Sequence, residues 1–339
     1  MQLNEIWFLI VGFLFIGYFV LDGFDFGVGM SLPFLGKDDT DRRVLINTIG
    51  PVWDLNETWV LVAGASLFAA FPEWYASLFS GFYLPLLLIL AALIARGVAF
   101  EYRGKGHTIG ADEVRWKATF DWMIVVGSAL PALLWGVAFA NIVQGVPLDA
   151  KHVYTGTLFT LLNPYGLLGG LVTLTLFWTH GLMFIALKTD GEIKDRASKL
   201  GTKVGIVTTL LAATFLIWTL IAHFSVLGFI LSAIAAVTLI AGLVANFFKR
   251  EGIAFSLIVV TIITAVGSLF AALFPNVFPS TTDATYSLTI DNASSSEYTL
   301  TVMTWVAVFM IPLVLLYQGW TYWVFRKRIS RKSIPAGAH

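Results

Sequence analysis

The sequence predicts an all-α polytopic membrane protein with nine membrane-spanning helices. Of its 339 residues, 58% are hydrophobic and only 12% are charged, whereas a soluble globular domain has roughly 25% charged residues. The apolar residues form continuous runs of about 20 residues, the length that crosses a hydrocarbon layer of roughly 30 Å. Because lipid satisfies no backbone hydrogen bonds, continuous apolar runs cross a membrane as helices.

The predicted spans are distributed along the whole chain. They lie at residues 6–27, 52–70, 78–100, 118–142, 165–187, 204–223, 226–248, 253–274 and 300–325. The first run has no basic segment before it and continues into two aspartates, so we expect a retained helix rather than a cleaved signal peptide. Glycines four residues apart, such as Gly23 and Gly27, favour ordinary close packing between helices. Between the last two spans we expect a short strand at Tyr286 to Ile290.

The basic residues predict an N-terminus outside the cell and a C-terminus in the cytoplasm. With nine spans in that orientation, 19 of the 21 Lys and Arg residues fall on the cytoplasmic side. Only Lys151 lies outside, and Arg96 lies within the third span. This excess on one side is typical of cytoplasmic loops, and losing one span would destroy it.

Ionisable residues are concentrated at the cytoplasmic ends of the first four spans. The topology brings together the following groups there: Asp22, Asp25, Asp54, Glu57, Arg96, Glu101 and Asp121. An aspartate at the centre of a spanning helix costs about 2.5–3.5 kcal/mol on insertion scales. Several such groups in one small region therefore suggest a function, and chains of carboxylates inside membranes commonly mark proton relays.

A structural explanation competes with the proton relay at each of these positions. Glu101 and Asp121 lie where helix capping or snorkelling to the headgroups explains an acidic residue. Asp22 is deeper, and either a neighbouring helix or a relay accounts for it. Arg96 follows a long apolar run, and we expect it to face a carboxylate on a neighbouring helix.

Haem or metal binding within this chain is the rival chemistry, and the sequence offers few ligands for it. There is no cysteine, which excludes iron–sulfur clusters and thiolate metal sites. Of the five histidines only His180 and His223 fall in predicted spans, and no two lie four apart on one helix. We therefore expect no haem and no metal in this chain.

Four stretches of the sequence resemble subunit II of the cytochrome bd-type quinol oxidases. They read LDGFDFGVG at 21–29, GPVWDLNETW at 50–59, FPEWYA at 71–76 and RGVAFEYR at 96–103. Their order and spacing agree with that family through the first four spans. The later spans agree in length and hydropathy, with weaker motifs.

The resemblance implies a fold of two four-helix bundles with one peripheral helix. On that basis residues 1–142 form the first bundle, with the acidic motifs, and residues 164–275 form the second. Residues 276–299 are an extracytoplasmic loop, and residues 300–339 are the ninth helix with a basic cytoplasmic tail.

The resemblance also implies a heterodimer with a haem-bearing subunit I in the bacterial cytoplasmic membrane, with small single-span subunits in some complexes. The haem b and haem d centres belong to that partner subunit. The complex oxidises quinol and reduces O2 to water with protons from the cytoplasm, without pumping. Some members hold a quinone in subunit II as a structural lipid, and no nucleic-acid partner is expected.

Residue by residue, the resemblance implies a proton pathway and no catalytic residue in this chain. Asp54 matches a family carboxylate on a proton path toward the haems, and Asp25 and Arg96 match polar positions near it. With Glu57 and Glu101, which flank the same region, these residues are the predicted proton pathway. Trp59 matches a tryptophan that is linked with an oxygen tunnel in some members.

Two other functions are compatible with the acidic residues alone. A proton-coupled transporter would use the same carboxylates, but it typically has broken helices near the midplane and inverted repeats. Neither is evident in this sequence. A purely structural membrane scaffold is the third interpretation, and it leaves the acidic cluster unexplained.

Overall fold

The computed structural model describes residues 2–110 and 112–334 and is built almost entirely from helices. The α-helices are α1 Leu3–Leu35, α2 Asp39–Ile49, α3 Trp53–Ala70, α4 Pro72–Gly81, α5 Tyr83–Tyr102, α6 Glu113–Gln144, α7 Leu158–Leu161, α8 Pro164–Lys188, α9 Gly191–Ala222, α10 Val226–Phe247, α11 Glu251–Leu273 and α12 Glu297–Val324. Short 3-10 helices lie at Arg103–Ile109, Ala284–Tyr286 and Arg331–Ser333. Strands β1 Asn276–Phe278 and β2 Leu288–Thr289 form the one sheet of the described residues.

Eight helices in the described part of the chain are long and apolar enough to cross a membrane. They are α1, α5, α6, α8, α9, α10, α11 and α12. The second predicted span, residues 52–70, coincides with the 18-residue helix α3, which does not reach the same hydropathy. The reason is that its first two turns carry Asp54, Asn56 and Glu57. Composition therefore supports eight of the nine predicted spans.

Some helix ends differ from the predicted ones for local reasons. The third span was predicted from residue 78, but residues 72–81 form the separate helix α4, and α5 begins only at Tyr83. Helix α9 begins at Gly191 rather than residue 204, because Ile193, Ala197 and Gly201 form a buried stripe at helical spacing. That first part of α9 is amphipathic, so a search for continuous apolar runs does not find it.

Several helix starts are fixed by short capping sequences. Asn163 accepts a hydrogen bond from the Gly166 amide, and Pro164 occupies the first helical position of α8. Ser225 and Ser296 cap α10 and α12 in the same way through their hydroxyl oxygens. These caps satisfy amide groups that would otherwise have no partner at the helix ends.

Helix α1 lies at the centre of the packing and contacts α3, α6, α8 and α11. The closest approach is to α8, where Gly27 and Gly181 face each other. A β-carbon on Gly27 would overlap the carbonyl oxygen of Phe177 and the backbone of Gly181. The predicted close packing at Gly27 is confirmed, and it places two helix backbones in direct contact.

The remaining helices pack mostly on their sequence neighbours. Helix α5 contacts α6, α6 contacts α8, α8 contacts α9, and α10 contacts α11. Helix α12 makes few contacts, mainly with α1 and α3, and just 6% of its most apolar 18-residue window is buried in the chain. Most of α12 therefore faces outward.

The loop between α11 and α12 covers the ends of other helices. Its strands pair antiparallel, with Asn276 opposite Thr289. The predicted short strand at Tyr286 to Ile290 is confirmed at two of its five residues, Leu288 and Thr289. The Asn4 amide donates to Asp291 at 2.9 Å, which ties the start of α1 to this loop.

Residues 325–334, here called the C-terminal strap, return across the opposite end of the molecule. The Ile329 amide donates to the Lys188 carbonyl oxygen at 2.8 Å, and Arg328 pairs with Asp190 at 3.0 Å. Arg331 binds Asp38 at 2.7 Å, and its hydrogen bonds hold the pKa of Asp38 below the ordinary value. The stabilisation of the fold by the Arg331–Asp38 pair is therefore fully present above the ordinary aspartate pKa. It is lost as the pH falls through the lowered pKa of Asp38. Residues 335–339 of the predicted basic tail lie outside the described residues.

Candidate functional site

A buried ion pair between α5 and α1 is the centre of the candidate site. Arg96 Nη2 lies 2.7 Å from Asp22 Oδ1, and both side chains are fully buried. Glu57 of α3 lies 3.8 Å from the same nitrogen and is 22% exposed. The expectation that Arg96 faces a carboxylate of a neighbouring helix is confirmed. The Phe26 ring lies over the guanidinium, with its centroid 4.6 Å away.

The polar groups around Arg96 are not all paired. Among the described residues, Arg96 Nε and Nη1, Asp22 Oδ2 and Asp25 Oδ1 are buried without a hydrogen-bond partner. Buried polar atoms are normally satisfied, and exceptions are concentrated at sites with a special role. One guanidinium here pairs with the carboxyl groups of Asp22 and Glu57, and Asp25 lies about one helix turn from Asp22, so the cluster has the composition to hold and exchange protons.

Asp25 belongs to a second chain of hydrogen bonds that reaches α12. Asn56 of α3 donates to Asp25 Oδ2 at 2.8 Å. The side-chain oxygen Oδ1 of Asn56 accepts from Gln318 Nε2 at 2.8 Å and from the Tyr322 hydroxyl at 2.7 Å. The buried cluster of Asp25, Asn56, Gln318 and Tyr322 is therefore continuous across three helices.

Asn56, Gln318 and Tyr322 were not among the predicted site residues. The prediction considered ionisable groups, and these three are neutral. A signal was nevertheless present, since a lone glutamine inside the apolar helix α12 is as unusual as a charge there. Asn56 lies between Asp54 and Glu57, on the same polar segment of α3.

Asp54 and Glu57 open onto a pocket at the surface of the chain. The pocket has a volume of about 610 Å³ and lies between α3, α4 and α5. Aromatic side chains, including Tyr75 and Tyr83, line its apolar part. Asp54 is exposed, whereas Glu57 is half-buried and reaches Arg96. The two acids thus lead from the surface toward the buried ion pair.

The other predicted residues lie around this cluster rather than in it. Glu101 is exposed in the last turn of α5. Asp121 pairs with Arg103 at 2.6 Å and with Arg42 at 3.0 Å, which is a structural role between α6 and its neighbours. Trp59 is buried with its ring against Gly17, and it lines a separate apolar pocket of about 490 Å³.

The His180 side chain is enclosed by other residues of this chain. Its Nε2 lies 3.0 Å from the Val20 carbonyl oxygen, and its ring is stacked on Phe255 with centroids 4.8 Å apart. Phe24 contacts the same ring edge-on at 5.6 Å. Aromatic side chains thus occupy the space around the imidazole. Within residues 2–110 and 112–334 no group of three His, Asp or Glu side chains is arranged to hold a metal.

Comparison with known proteins identifies the family. The profile of the family described as "Cytochrome bd terminal oxidase subunit II" matches residues 3–325. The chain is 42% identical to cytochrome bd ubiquinol oxidase subunit 2 of Bacillus subtilis, with 98% of each chain covered. It is 38% identical to cytochrome bd-I ubiquinol oxidase subunit 2 of Escherichia coli, covering 99% of this chain and 98% of that protein.

The fold agrees with a solved structure of the same kind of enzyme. The bd oxidase structure from Geobacillus thermodenitrificans superposes with a TM-score of 0.77, covering 96% of this chain and 100% of that one at 16% identity. At this identity the superposition supports the fold, and the sequence matches over nearly the whole length support the family. The chain belongs to the cytochrome bd terminal oxidase subunit II family.

Proposed function

We propose that this chain is the haem-free subunit of a quinol:O2 oxidoreductase in the bacterial cytoplasmic membrane. The full-length family match, from residue 3 to residue 325, is the observation that carries this proposal. In the complex, quinol is oxidised and O2 undergoes four-electron reduction to water. Haem b and haem d centres are held by the partner subunit I, and small single-span subunits complete some assemblies.

The proposed topology has nine spans, with α3 as the second. Its polar first turns then lie against α1 and α5 rather than lipid, which allows a helix of modest hydropathy to cross. The N-terminus is outside and the C-terminal strap is cytoplasmic, in accordance with the basic residues. Helices α1, α3, α5 and α6 form one bundle and α8 to α11 the other, with α12 peripheral.

The haem content of the isolated chain tests the proposal. A reduced-minus-oxidised visible spectrum of this chain purified alone is expected to show no haem bands. The complex purified with its partner is expected to show b- and d-type bands. Haem retained by the isolated chain would contradict the assignment of the centres to the partner, and a complex without any haem would favour the transporter.

The proposed role of the polar cluster is to conduct protons from the cytoplasm toward the partner's oxygen-reducing centre. Protons enter at the exposed Asp54 and pass to Glu57, which faces Arg96 at 3.8 Å. Asp25 continues the path within the membrane, and Glu101 collects protons at the end of α5. Protons for O2 reduction are taken up from the cytoplasm, and the protons of quinol are released outside. Turnover is therefore electrogenic without proton pumping.

Asp54→Asn is expected to slow O2 consumption several-fold while haem content stays normal. The amide keeps the shape of the carboxyl group but cannot take up a proton, and position 54 is exposed, so folding is unaffected. Oxygen uptake by the reconstituted complex measures the rate. Glu73→Gln, an acid at the start of α4, is the matched control and should leave turnover unchanged. Unchanged turnover in Asp54→Asn would refute its place in the path.

The proposal also includes a quinone bound as a structural lipid and an oxygen tunnel at Trp59. The pocket beside Asp54 and Glu57, at about 610 Å³, lies in the size range of ligand pockets, roughly 300–1,000 Å³. Its aromatic walls suit a quinone ring or its tail. The pocket lined by Trp59 is apolar, as a path for O2 requires.

A further inference from the structure

An outward-facing groove lies between α9 and α10, on other helices than those that carry the acidic site. Its volume is about 530 Å³. Thr202, Ile206 and Leu210 line one side, and Val244 and Phe247 line the other. The Asn246 amide donates to the Ser198 carbonyl oxygen and to the Thr202 hydroxyl, each at 2.9 Å. These bonds close the end of the groove nearest the helix termini.

An apolar cavity lies next to the other end of the groove. Thr209 and Ile240 line both spaces, so the groove and the cavity are neighbours. The cavity lies among α6 and α8 to α11 and has a volume of about 140 Å³. Small residues such as Gly169 and Ala212 form its walls.

Hydrocarbon suits the cavity better than water does. The Thr209 hydroxyl donates to the Gly205 carbonyl oxygen at 2.8 Å, and the Thr173 hydroxyl donates to that of Ala132 at 2.6 Å. The threonines in the wall are thus occupied by the helix backbones. Apolar cavities of roughly 150 Å³ stay dry and take up small hydrocarbons.

Basic residues follow or precede the groove residues at its closed end in the sequence. Lys199, Lys203, Lys249 and Arg250 are exposed, and none forms an ion pair with a described residue. Lys203 follows the groove residue Thr202, and Lys249 follows the groove residue Phe248. An anionic group at this end would meet several uncompensated positive charges.

Lys249 has a backbone conformation that normally selects glycine. Its φ is 57°, and the Arg250 amide donates to the Ala245 carbonyl oxygen at 2.9 Å, which closes α10 in the usual helix-ending motif. Glycine has no steric penalty at this position, whereas lysine does. The sequence therefore places a positive side chain beside the groove at a conformational cost.

We propose that the groove between α9 and α10 binds one anionic glycerophospholipid. An acyl chain lies along Ile206 and Val244 with its end in the cavity, and the headgroup phosphate contacts Lys203, Lys249 and Arg250. The charge at the rim selects this occupant over a quinone, whose head is neutral. The site is independent of the proton path, since it lies in the other half of the chain.

Photo-crosslinking of the intact complex tests this site. The complex is reconstituted in phosphatidylcholine vesicles that contain a trace of phosphatidylglycerol with a diazirine at the end of one acyl chain. Parallel vesicles contain phosphatidylcholine with the same modified chain. Peptides from residues 204–213 and 235–248 are expected to be labelled at least about tenfold more by the anionic probe, because each basic side chain adds to its attraction. The outward face of α12 should be labelled equally by both.

Two sets of substitutions test the basic residues and the apolar cavity separately. Lys203→Gln with Lys249→Gln should lower anionic labelling to the phosphatidylcholine level, whereas Arg43→Gln with Lys332→Gln removes equal charge elsewhere and should not. Ile240→Trp should abolish labelling in the cavity, and Val237→Trp, also exposed on α10, should leave it intact. Haem content and oxygen uptake confirm that each complex is folded. Equal labelling by both probes, or an unaltered pattern in Ile240→Trp, would overturn the proposal.

Discussion

Replacing Arg96 by leucine is expected to cause the largest loss of assembled complex among single substitutions in the polar cluster. The substitution leaves the fully buried Asp22 carboxylate without its 2.7 Å partner and removes the charge that faces Glu57. Removing one member of a buried pair typically costs about 3–5 kcal/mol, because the remaining charge is uncompensated. Haem recovered per milligram of membrane protein and the unfolding temperature of the complex measure the effect.

Two further variants distinguish charge from shape at this position. Arg96→Lys keeps a positive charge and should recover much more haem-loaded complex than Arg96→Leu. The double variant with Arg96→Leu and Asp22→Leu removes both charges, and it should be more stable than Arg96→Leu alone, since apolar replacement of a whole buried pair is often tolerated. Equal haem recovery in the leucine and lysine variants would show that the ion pair does not stabilise the assembly.

Gly27→Ala is expected to be nearly as damaging, although it adds a single methyl group. That methyl would overlap the Phe177 carbonyl oxygen and the Gly181 backbone of α8, and backbone atoms cannot rotate away as a side chain does. Helices α1 and α8 would have to separate, and overpacking of this kind costs about 1–3 kcal/mol or more. Thermal unfolding of the purified complex and its haem yield are the measurements.

Gly64→Ala is the matched control for the helix-packing prediction. Gly64 lies in α3, and no atom lies within 4 Å of a β-carbon built there. The same chemical change should therefore be neutral, or stabilising by about 0.5–1 kcal/mol through the loss of glycine flexibility. If the two variants had equal unfolding temperatures, the close approach of α1 and α8 would not limit the stability of the fold.

The sequence predicted the helices well where a continuous apolar run determines them. Helices α10 and α11 begin and end within a few residues of the predicted spans, because each is one continuous apolar run. The predicted helix bounds were wrong where the helix is not a single continuous apolar run. The amphipathic start of α9 has no apolar run. Helix α4 begins at Pro72, and the break at Phe82 separates it from α5.

The sequence predicted the ionisable residues of the candidate site and their location. It did not predict which carboxylate pairs with Arg96. Topology placed Asp22, Asp25 and Glu57 near Arg96 and could not choose among them. The choice depends on side-chain directions set by helix rotation, which is fixed by packing on α6 and α8. Gln318 was not predicted because it lies 262 residues after Asn56, and no local sequence pattern connects the two.

The hydrogen bonds of Asn56 have a consequence for the biosynthesis of the protein. Asn56 is translated early, whereas Gln318 and Tyr322 follow 262 and 266 residues later. At bacterial elongation speeds that interval is roughly ten to fifty seconds. During it α3, with the polar residues of its first turns, resides at the translocon or in lipid with its network unfinished. Completion of the cluster thus coincides with insertion of the last helix, and a chain truncated before Gln318 leaves the Asn56 side-chain oxygen without these two partners.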